Sequence, residues 1–274
     1  MIAVVIGGGT MGAGIAHVLL AGGHEVVLAE SGAERVAAAR AAVARSLATA
    51  AERGKLDRAA DELLANLTVV ERLADVPAEL VVEAVPEDAA LKRRVLATAA
   101  RACPDAVLAS NTSSLSIADL ARDLPGERVL GMHFFNPVPV QRLVELVHHD
   151  GLSPAVLAKA REWAEQLGKT VIEVRDSPGF ATSRLGVAVG LEAIRVLEEG
   201  VATADDVDTG MRLGYGWPMG PLRLTDLVGL DVRLAIAEHL AAELGPRFEP
   251  PRLLRDKVAR GELGRKSGQG FFTW

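Results

Sequence analysis

A glycine-rich turn near the start of the chain constrains the fold more than any other feature. Residues 7–12 read Gly-Gly-Gly-Thr-Met-Gly and separate an apolar run at 2–6 from an alanine-rich stretch. The spacing is G-x-G-x-x-G, which joins a strand to a helix and turns the amides of the helix N-terminus towards a phosphate. The alternative is a tight turn that serves packing alone. We predict that the turn binds the pyrophosphate of a dinucleotide through Gly7, Gly9, Thr10, Met11 and Gly12.

The residue that ends the next predicted strand indicates which dinucleotide binds. Glu30 lies eighteen residues after Gly12, where a carboxylate can accept hydrogen bonds from the hydroxyls of an adenosine ribose. The same carboxylate would repel a 2′-phosphate, and the next residues, Ser31 and Gly32, offer no compensating cation. The sequence therefore predicts NAD as the cofactor, in preference to NADP.

Composition excludes several classes of protein. With 274 residues, 49% of them hydrophobic, the chain can bury a large core, and its net charge of −6 gives no general attraction to nucleic acid or anionic membrane. Glycines interrupt the uncharged stretch before Glu25, and no basic segment precedes it, which argues against a targeting or membrane segment. A single cysteine, Cys103, permits no intramolecular disulfide and no cysteine-rich metal site. We expect a cytoplasmic protein that binds no metal.

Short β-branched runs alternate with helical patterns as far as residue 174. Strands are predicted at 2–6, 25–29, 68–70, 80–85, 106–109, 128–133, 142–147 and 170–174, with helices at 11–21, 34–64, 89–103 and 153–167. Beyond the turn at 176–179 the pattern is helical, at 180–199, 205–213, 221–227 and 231–244, with one further strand candidate at 271–274. The prediction is an α/β protein: a Rossmann-type, mostly parallel sheet domain at 1–176, followed by a smaller all-α domain at 177–274.

A histidine and a glutamate form the second candidate site. His133 ends a predicted strand, two prolines shape the turn after it, and Glu145 lies twelve residues beyond it on the returning strand. A neutral imidazole can accept a hydroxyl proton, and a carboxylate can orient the ring and stabilise the imidazolium. The plainer interpretation is an ordinary histidine beside an unrelated glutamate. The context favours an acid–base pair.

Two further strand ends carry polar residues. The run 110–114, Ser-Asn-Thr-Ser-Ser, falls at the carboxyl edge of the predicted sheet, where ligands of such folds bind. Its hydroxyls and amide can orient a polar substrate, although Ser114 or Ser116 can equally cap the next helix. Glu83 also ends a strand and is a candidate to line the cofactor cleft.

These motifs resemble the short-chain L-3-hydroxyacyl-CoA dehydrogenase family, which includes 3-hydroxybutyryl-CoA dehydrogenases. The likeness covers nearly the whole chain, because the motifs occur in family order: the glycine turn at 7–12, then 110–115, 133–139 with Glu145, 176–180, Gly-Trp-Pro-Met-Gly-Pro at 216–221, and Gly-Arg-Lys-Ser-Gly-Gln-Gly-Phe at 264–271.

The resemblance implies roles for particular residues. It makes His133 the acid–base residue and Glu145 its orienting partner, with Ser113 and Asn136 hydrogen-bonded to the oxygens of the substrate. It matches Lys55 to a lysine that meets CoA, although an ordinary exposed lysine in a helical stretch is the plainer interpretation. It also implies NAD as cofactor, a substrate acyl group carried as a thioester of CoA or of an acyl carrier protein, and a homodimer formed by the helical domain.

One residue departs from the family pattern. Ser183 precedes Arg184 and Leu185 where the family generally places an asparagine of the substrate site. Two alternatives therefore stay open beside an L-3-hydroxyacyl thioester dehydrogenase. One is an NAD-dependent dehydrogenase of a free 3-hydroxy acid, and the other is a protein that binds NAD without turnover.

Overall fold

A computed structural model describes every residue from Met1 to Trp274. The chain divides into two compact units, Met1–Asp176 and Ser177–Trp274. The first unit contains all eight strands: β1 Ile2–Ile6, β2 Glu25–Ala29, β3 Leu67–Val70, β4 Leu80–Glu83, β5 Val107–Ser110, β6 Val129–Phe134, β7 Leu143–His148 and β8 Thr170–Arg175. They form one sheet in the order β3-β2-β1-β4-β5-β6-β7-β8.

The helices divide between the two units. The first unit has α1 Thr10–Ala21, α2 Ala33–Glu52, α3 Ala60–Leu64, α4 Ala89–Ala102, α5 Ile117–Ala121 and α6 Pro154–Gln166. The second has α7 Thr182–Glu198, α8 Ala204–Gly214, α9 Pro221–Val228, α10 Leu230–Leu244 and α11 Arg252–Ala259. This confirms the predicted class: a Rossmann-type sheet followed by helices.

The sheet changes direction once, between β6 and β7. Strands β1 to β6 pair in parallel, β7 pairs antiparallel with β6, and β8 runs parallel to β7. Every residue of β4, β5 and β6 is buried, as expected for parallel strands that helices cover on both faces. The carboxyl ends of these three strands therefore meet at one edge of the sheet.

Two buried aspartates organise the helical unit. The Asp208 carboxylate accepts hydrogen bonds from the amides of Leu222 and Arg223 in the first turn of α9, each 2.9 Å long. A Cβ at Gly220 would lie 2.1 Å from the Asp208 carboxyl carbon, so only glycine fits there. The Asp226 carboxylate accepts from three donors in the final segment: the amides of Phe271 and Phe272 and the Trp274 indole. These contacts explain two of the motifs at 216–221 and 264–271.

Two local predictions were wrong. The helix predicted over 34–64 ends at Glu52, because Gly54 adopts φ +61° and the amides of Gly54 and Lys55 bond back to the carbonyls of Ala51 and Ala50. This is the Schellman ending that favours glycine. The segment 271–274 is not a strand, since it makes only an isolated bridge between Gln269 and Thr273. None of the helices combines the length and apolar character needed to cross a membrane.

Candidate active site

The glycine turn has the geometry of a phosphate cradle. Gly7 adopts φ +100°, and a Cβ at Gly12 would lie 1.7 Å from the Gly7 carbonyl oxygen, so a larger residue would push the helix off the strand. A Cβ at Gly9 would point into open space, which is the side from which a pyrophosphate approaches. Gly9 precedes α1, whose first turn contains no acidic residue. The positive end of α1 therefore stays available to an anion, and the turn fits NAD.

Glu30 closes the same turn from the end of β2. One carboxylate oxygen accepts the Gly8 amide at 2.7 Å, and the other accepts the Ser31 amide at 2.7 Å. The side chain is thus fixed beside the glycine turn. The Arg35 guanidinium lies 3.7 Å from the Glu30 carboxylate and is largely exposed. Glu30 therefore has a cation nearby, which the two residues that follow it in the sequence did not indicate.

Glu83 is buried in a closed polar cluster at the ends of β4 and β5. Its carboxylate accepts hydrogen bonds from the Lys92 ammonium at 2.8 Å, the Ser110 hydroxyl at 2.6 Å and the Val85 amide at 2.7 Å. The side chains of Glu83 and Lys92 are 0% and 1% exposed. The cluster therefore fixes the loops that follow both strands, while the predicted contact of Glu83 with the cofactor stays a prediction.

The loop of Ser113 is tied to the cluster and to β6. Glu87 accepts hydrogen bonds from the Thr112 hydroxyl and from the Ser113 amide, the latter at 3.0 Å. Asn111, one residue past β5, accepts the Phe134 amide at 2.8 Å. The loop carrying Ser113 is thus fastened to the strand that carries His133. The cap of α5 is Ser116, whose hydroxyl accepts the Asp119 amide.

His133 and Glu145 face each other across the antiparallel strand pair. The two residues are register partners in β6 and β7, and the imidazole Nδ1 lies 2.9 Å from a Glu145 carboxylate oxygen. Their side chains are 6% and 0% exposed. A pleated pair puts register partners on the same face, so the reversal at β7 brings them together. The Phe135 ring packs at 4.5 Å from the imidazole, centroid to centroid.

Three predicted site residues lie outside these contacts. Asn136 is exposed, three residues after His133 in the segment between β6 and β7. Lys55 is exposed in the turn after α2, which corrects its predicted helical setting. Ser183 is half-buried in the first turn of α7, in the helical unit. Their contacts with a ligand stay predictions.

Sequence reasoning missed Lys92, although a signal was present. Lys92, Leu96 and Ala99 share the buried face of α4, and a lysine on an apolar helix face needs a buried acidic partner. The nearest strand end supplies one in Glu83. The sequence did single out the Asn111 amide, as a group that could orient a substrate, but it gave no sign of the contact with the Phe134 main-chain amide.

Comparisons with known proteins decide the family. A family model described as the NAD-binding domain of 3-hydroxyacyl-CoA dehydrogenase matches residues 2–177, and the model of the C-terminal domain matches residues 179–274. The chain belongs to the 3-hydroxyacyl-CoA dehydrogenase family. This confirms the resemblance seen in the sequence, and with it an oxidoreductase that uses NAD.

Relatives in this family match this chain over nearly their whole length. A 3-hydroxybutyryl-CoA dehydrogenase of Mycobacterium tuberculosis is 45% identical over 98% of this chain and 97% of that protein. The crystal structure of M. tuberculosis FadB2 superposes with a TM-score of 0.95 at 44% identity, covering 99% of this chain and 98% of the other. That of (S)-3-hydroxybutyryl-CoA dehydrogenase PaaH1 from Ralstonia eutropha gives 0.93 at 38% identity, covering 100% and 98%.

Proposed function

We propose that this protein interconverts a short-chain L-3-hydroxyacyl-CoA and the corresponding 3-ketoacyl-CoA, with 3-hydroxybutyryl-CoA and acetoacetyl-CoA as the reference pair. The observation that carries the proposal is the buried pair of His133 and Glu145, 2.9 Å apart at the end of β6. A dinucleotide-binding protein without turnover needs the glycine turn and Glu30, but it has no use for this pair. The names of the similar proteins support the choice of acyl group.

The pair moves the proton that accompanies oxidation or reduction at C3 of the substrate. Because Nδ1 faces Glu145, we assign proton transfer to Nε2. In the oxidation, Nε2 takes the proton of the C3 hydroxyl, the C3–H bond breaks, and its electron pair leaves as hydride, so that C3 becomes a carbonyl. NAD, when bound, supplies the hydride acceptor. In the reduction, protonated His133 returns the proton to oxygen, and the Glu145 carboxylate stabilises this charged form.

Four further polar residues are assigned to the binding of the substrate. We assign Ser113 and Asn136 to the oxygens of the acyl group, because Asn111 fastens the Ser113 loop to β6 and Asn136 follows His133 by three residues. Lys55 is exposed after α2 and is assigned to the phosphates of CoA. Ser183 is assigned to the substrate site on its position in the family motif.

The protein also forms a homodimer through its helical unit. The Cβ positions of Gly186 and Gly190 place α7 against Thr225 of α9 and Arg233 of α10. Exposed apolar side chains flank these contact positions on all three helices: Leu185 at 66%, Leu224 at 39% and Val232 at 42% exposure. We assign the dimer interface to these three exposed side chains, because protein–protein interfaces bury apolar surface.

Turnover of acetoacetyl-CoA tests the proposed reaction. When the protein is mixed with NADH and acetoacetyl-CoA, the absorbance of NADH should fall. His133→Ala should lower kcat by about 10²- to 10⁴-fold while NADH still binds, because the imidazole acts only on the substrate proton. His149→Ala, at a histidine hydrogen-bonded to the Gly126 carbonyl, is the matched control. A His133→Ala enzyme within about threefold of wild type contradicts the assignment. Turnover of a free 3-keto acid, but not of its CoA thioester, identifies the free-acid dehydrogenase instead.

A further inference from the structure

The segment 135–142 connects the two members of the acid–base pair. It leaves β6 one residue after His133, carries Asn136, and enters β7 two residues before Glu145. The amides of Val140 and Gln141 both bond to the Pro137 carbonyl at 2.9 Å, which folds the segment over that proline. Most of the segment is exposed, and only the Val138 side chain is fully buried. Its own hydrogen bonds therefore do not fix it against the rest of the protein.

Lys169, which precedes β8, and Thr170, the first residue of β8, bind this segment. The Lys169 ammonium donates to the carbonyls of Val138 at 2.6 Å and Gln141 at 2.8 Å. The amide of Thr170 donates to the Arg142 carbonyl at 2.6 Å. Three carbonyls along five residues of the segment are thus bound by two consecutive residues.

The segment bound by Lys169 also packs against α1, the helix that follows the glycine turn. A Cβ at Gly14, in α1, would lie 2.9 Å from the Val138 Cβ, so Val138 packs directly against the backbone of α1. Lys169 binds the carbonyl of this same valine. The segment that leads to Asn136 is therefore fixed relative to the glycine turn, which begins the same helix.

The charge of Lys169 has no acidic partner. The residue is 8% exposed, forms no salt bridge, and burial lowers the pKa of its ammonium below the usual value. Burying a cation that only carbonyl groups compensate is costly. An apolar side chain of similar length would pack at lower cost, and it would leave the carbonyls of Val138 and Gln141 without this donor.

We propose that Lys169 is a positioning residue for the reaction, because by binding the Val138 and Gln141 carbonyls it fixes the segment that places Asn136 against the substrate. The inference rests on the proposed function of Asn136 and His133. A misplacement of about 1 Å in a positioning element can lower turnover by about 10²-fold. Lys169→Met should therefore lower kcat/KM for acetoacetyl-CoA by about 10- to 100-fold, while the Kd of NADH changes by less than about twofold because the glycine turn and Glu30 are untouched.

A double-mutant cycle separates positioning from a general structural role. If Lys169 acts through Asn136, then Lys169→Met and Asn136→Ala together should cost much less than the product of their separate effects on kcat/KM. A merely structural lysine gives effects that multiply. Lys159→Met, at an exposed lysine of α6 paired with Glu162, is the matched control and should leave kcat/KM unchanged.

Hydrogen–deuterium exchange tests the anchoring without any substrate. Lys169→Met should speed exchange of the amides of Val140 and Gln141, and Lys159→Met should not. If the wild-type protein fails to reduce acetoacetyl-CoA, the proposed function is wrong, and faster exchange still establishes the anchor. Unchanged exchange in Lys169→Met, or effects that multiply in the cycle, overturns the proposal. If Lys169→Met does not fold, Lys169→Gln, which keeps an amide donor, carries the same measurements with a smaller expected loss.

Discussion

At the scale of single residues, Glu30 is held by the glycine turn and is proposed to select the cofactor. Its carboxylate already accepts the amides of Gly8 and Ser31, and its charge opposes a 2′-phosphate. We expect a much higher kcat/KM with NADH than with NADPH. Glu30→Gln, which removes the charge and keeps a hydrogen-bond acceptor, should reduce this difference by raising kcat/KM with NADPH. Glu30→Ala should in addition weaken the binding of NADH.

Steady-state kinetics with both cofactors decide this prediction. Arg35→Ala is the companion variant, because the Arg35 guanidinium near Glu30 offsets part of the repulsion. It should widen the preference for NADH. Equal use of NADH and NADPH by the wild-type enzyme would refute the role given to Glu30.

Ser183 is the residue at which substrate choice is expected to change. An asparagine offers two N–H donors and a carbonyl at longer reach, whereas serine has one rotating hydroxyl. A polar group left unmatched costs about 1 to 3 kcal/mol, enough to change substrate preference. Ser183→Asn should therefore raise kcat/KM for acetoacetyl-CoA, measured beside an unchanged Kd for NADH. No change, or a decrease, would assign specificity to other residues.

The site residues found from sequence are those whose chemistry shows in their own side chains and spacing. His133, Glu145 and the glycine turn carry such signals, and the structure brings His133 and Glu145 together. Lys169 could not be found in this way, because it binds main-chain carbonyls that any sequence supplies. Asn111 was expected to orient a substrate, and its contact with the Phe134 amide could not be predicted for the same reason. Only the path of the backbone shows what they hold.

At the scale of elements, a buried histidine links α1 to α2. The His17 Nδ1 lies 2.7 Å from the Ser46 hydroxyl. Burial, together with the nearby charge of Lys169, lowers the pKa of His17 from its ordinary value of 6.5 to about 4. The histidine therefore stays neutral in the folded protein at pH values where the unfolded chain takes up a proton.

The sign of the pH effect follows from this difference. Because the folded pKa lies below the unfolded one, the stabilising contribution is complete above pH 6.5 and is lost as the pH falls towards about 4. The loss amounts to about 2 to 3 kcal/mol. His17→Gln keeps a hydrogen-bonding group without this titration. The free energy of unfolding in urea, measured at several pH values, should fall less steeply with acid for His17→Gln than for the wild-type protein. His149→Gln is the control. The same pH dependence in wild type and His17→Gln would contradict the prediction.

The positions of helices and strands could be predicted from sequence where the hydrophobic pattern and the turn residues gave strong signals. The parallel order around β1 follows from the glycine turn and the alternation of strands with helices. The end of α2 was missed, although Gly54 marked it, because the alanine-rich pattern continues beyond it. The direction of β7 was expected from the turn after His133. The capping of α9 by Asp208 could not be predicted, because it depends on contacts between helices.

At the scale of the whole molecule, the proposed dimer depends on the exposed apolar residues of α7, α9 and α10, among them Val232. Val232→Glu places a charge there, and Val201→Glu places the same charge at an exposed position before α8, at 69% exposure. Sedimentation should find wild-type protein and Val201→Glu as dimers and Val232→Glu as a monomer, because burying an unpaired carboxylate is costly. A dimer that survives Val232→Glu would place the interface elsewhere.

The two units also have separate hydrophobic cores. One core packs against the sheet, with Leu28, Val82 and Leu130 among its members, and the other joins the helices through Leu191, Leu222 and Leu240. A ligand stabilises only the folded region to which it binds, and association stabilises only the region that associates. From the proposed cofactor site and the proposed dimer, we expect excess NADH to raise the melting temperature of the sheet unit and a higher protein concentration to raise that of the helical unit. A single melting temperature would then describe neither unit, and thermal-shift screening of this protein should report cofactor binding and assembly through different transitions.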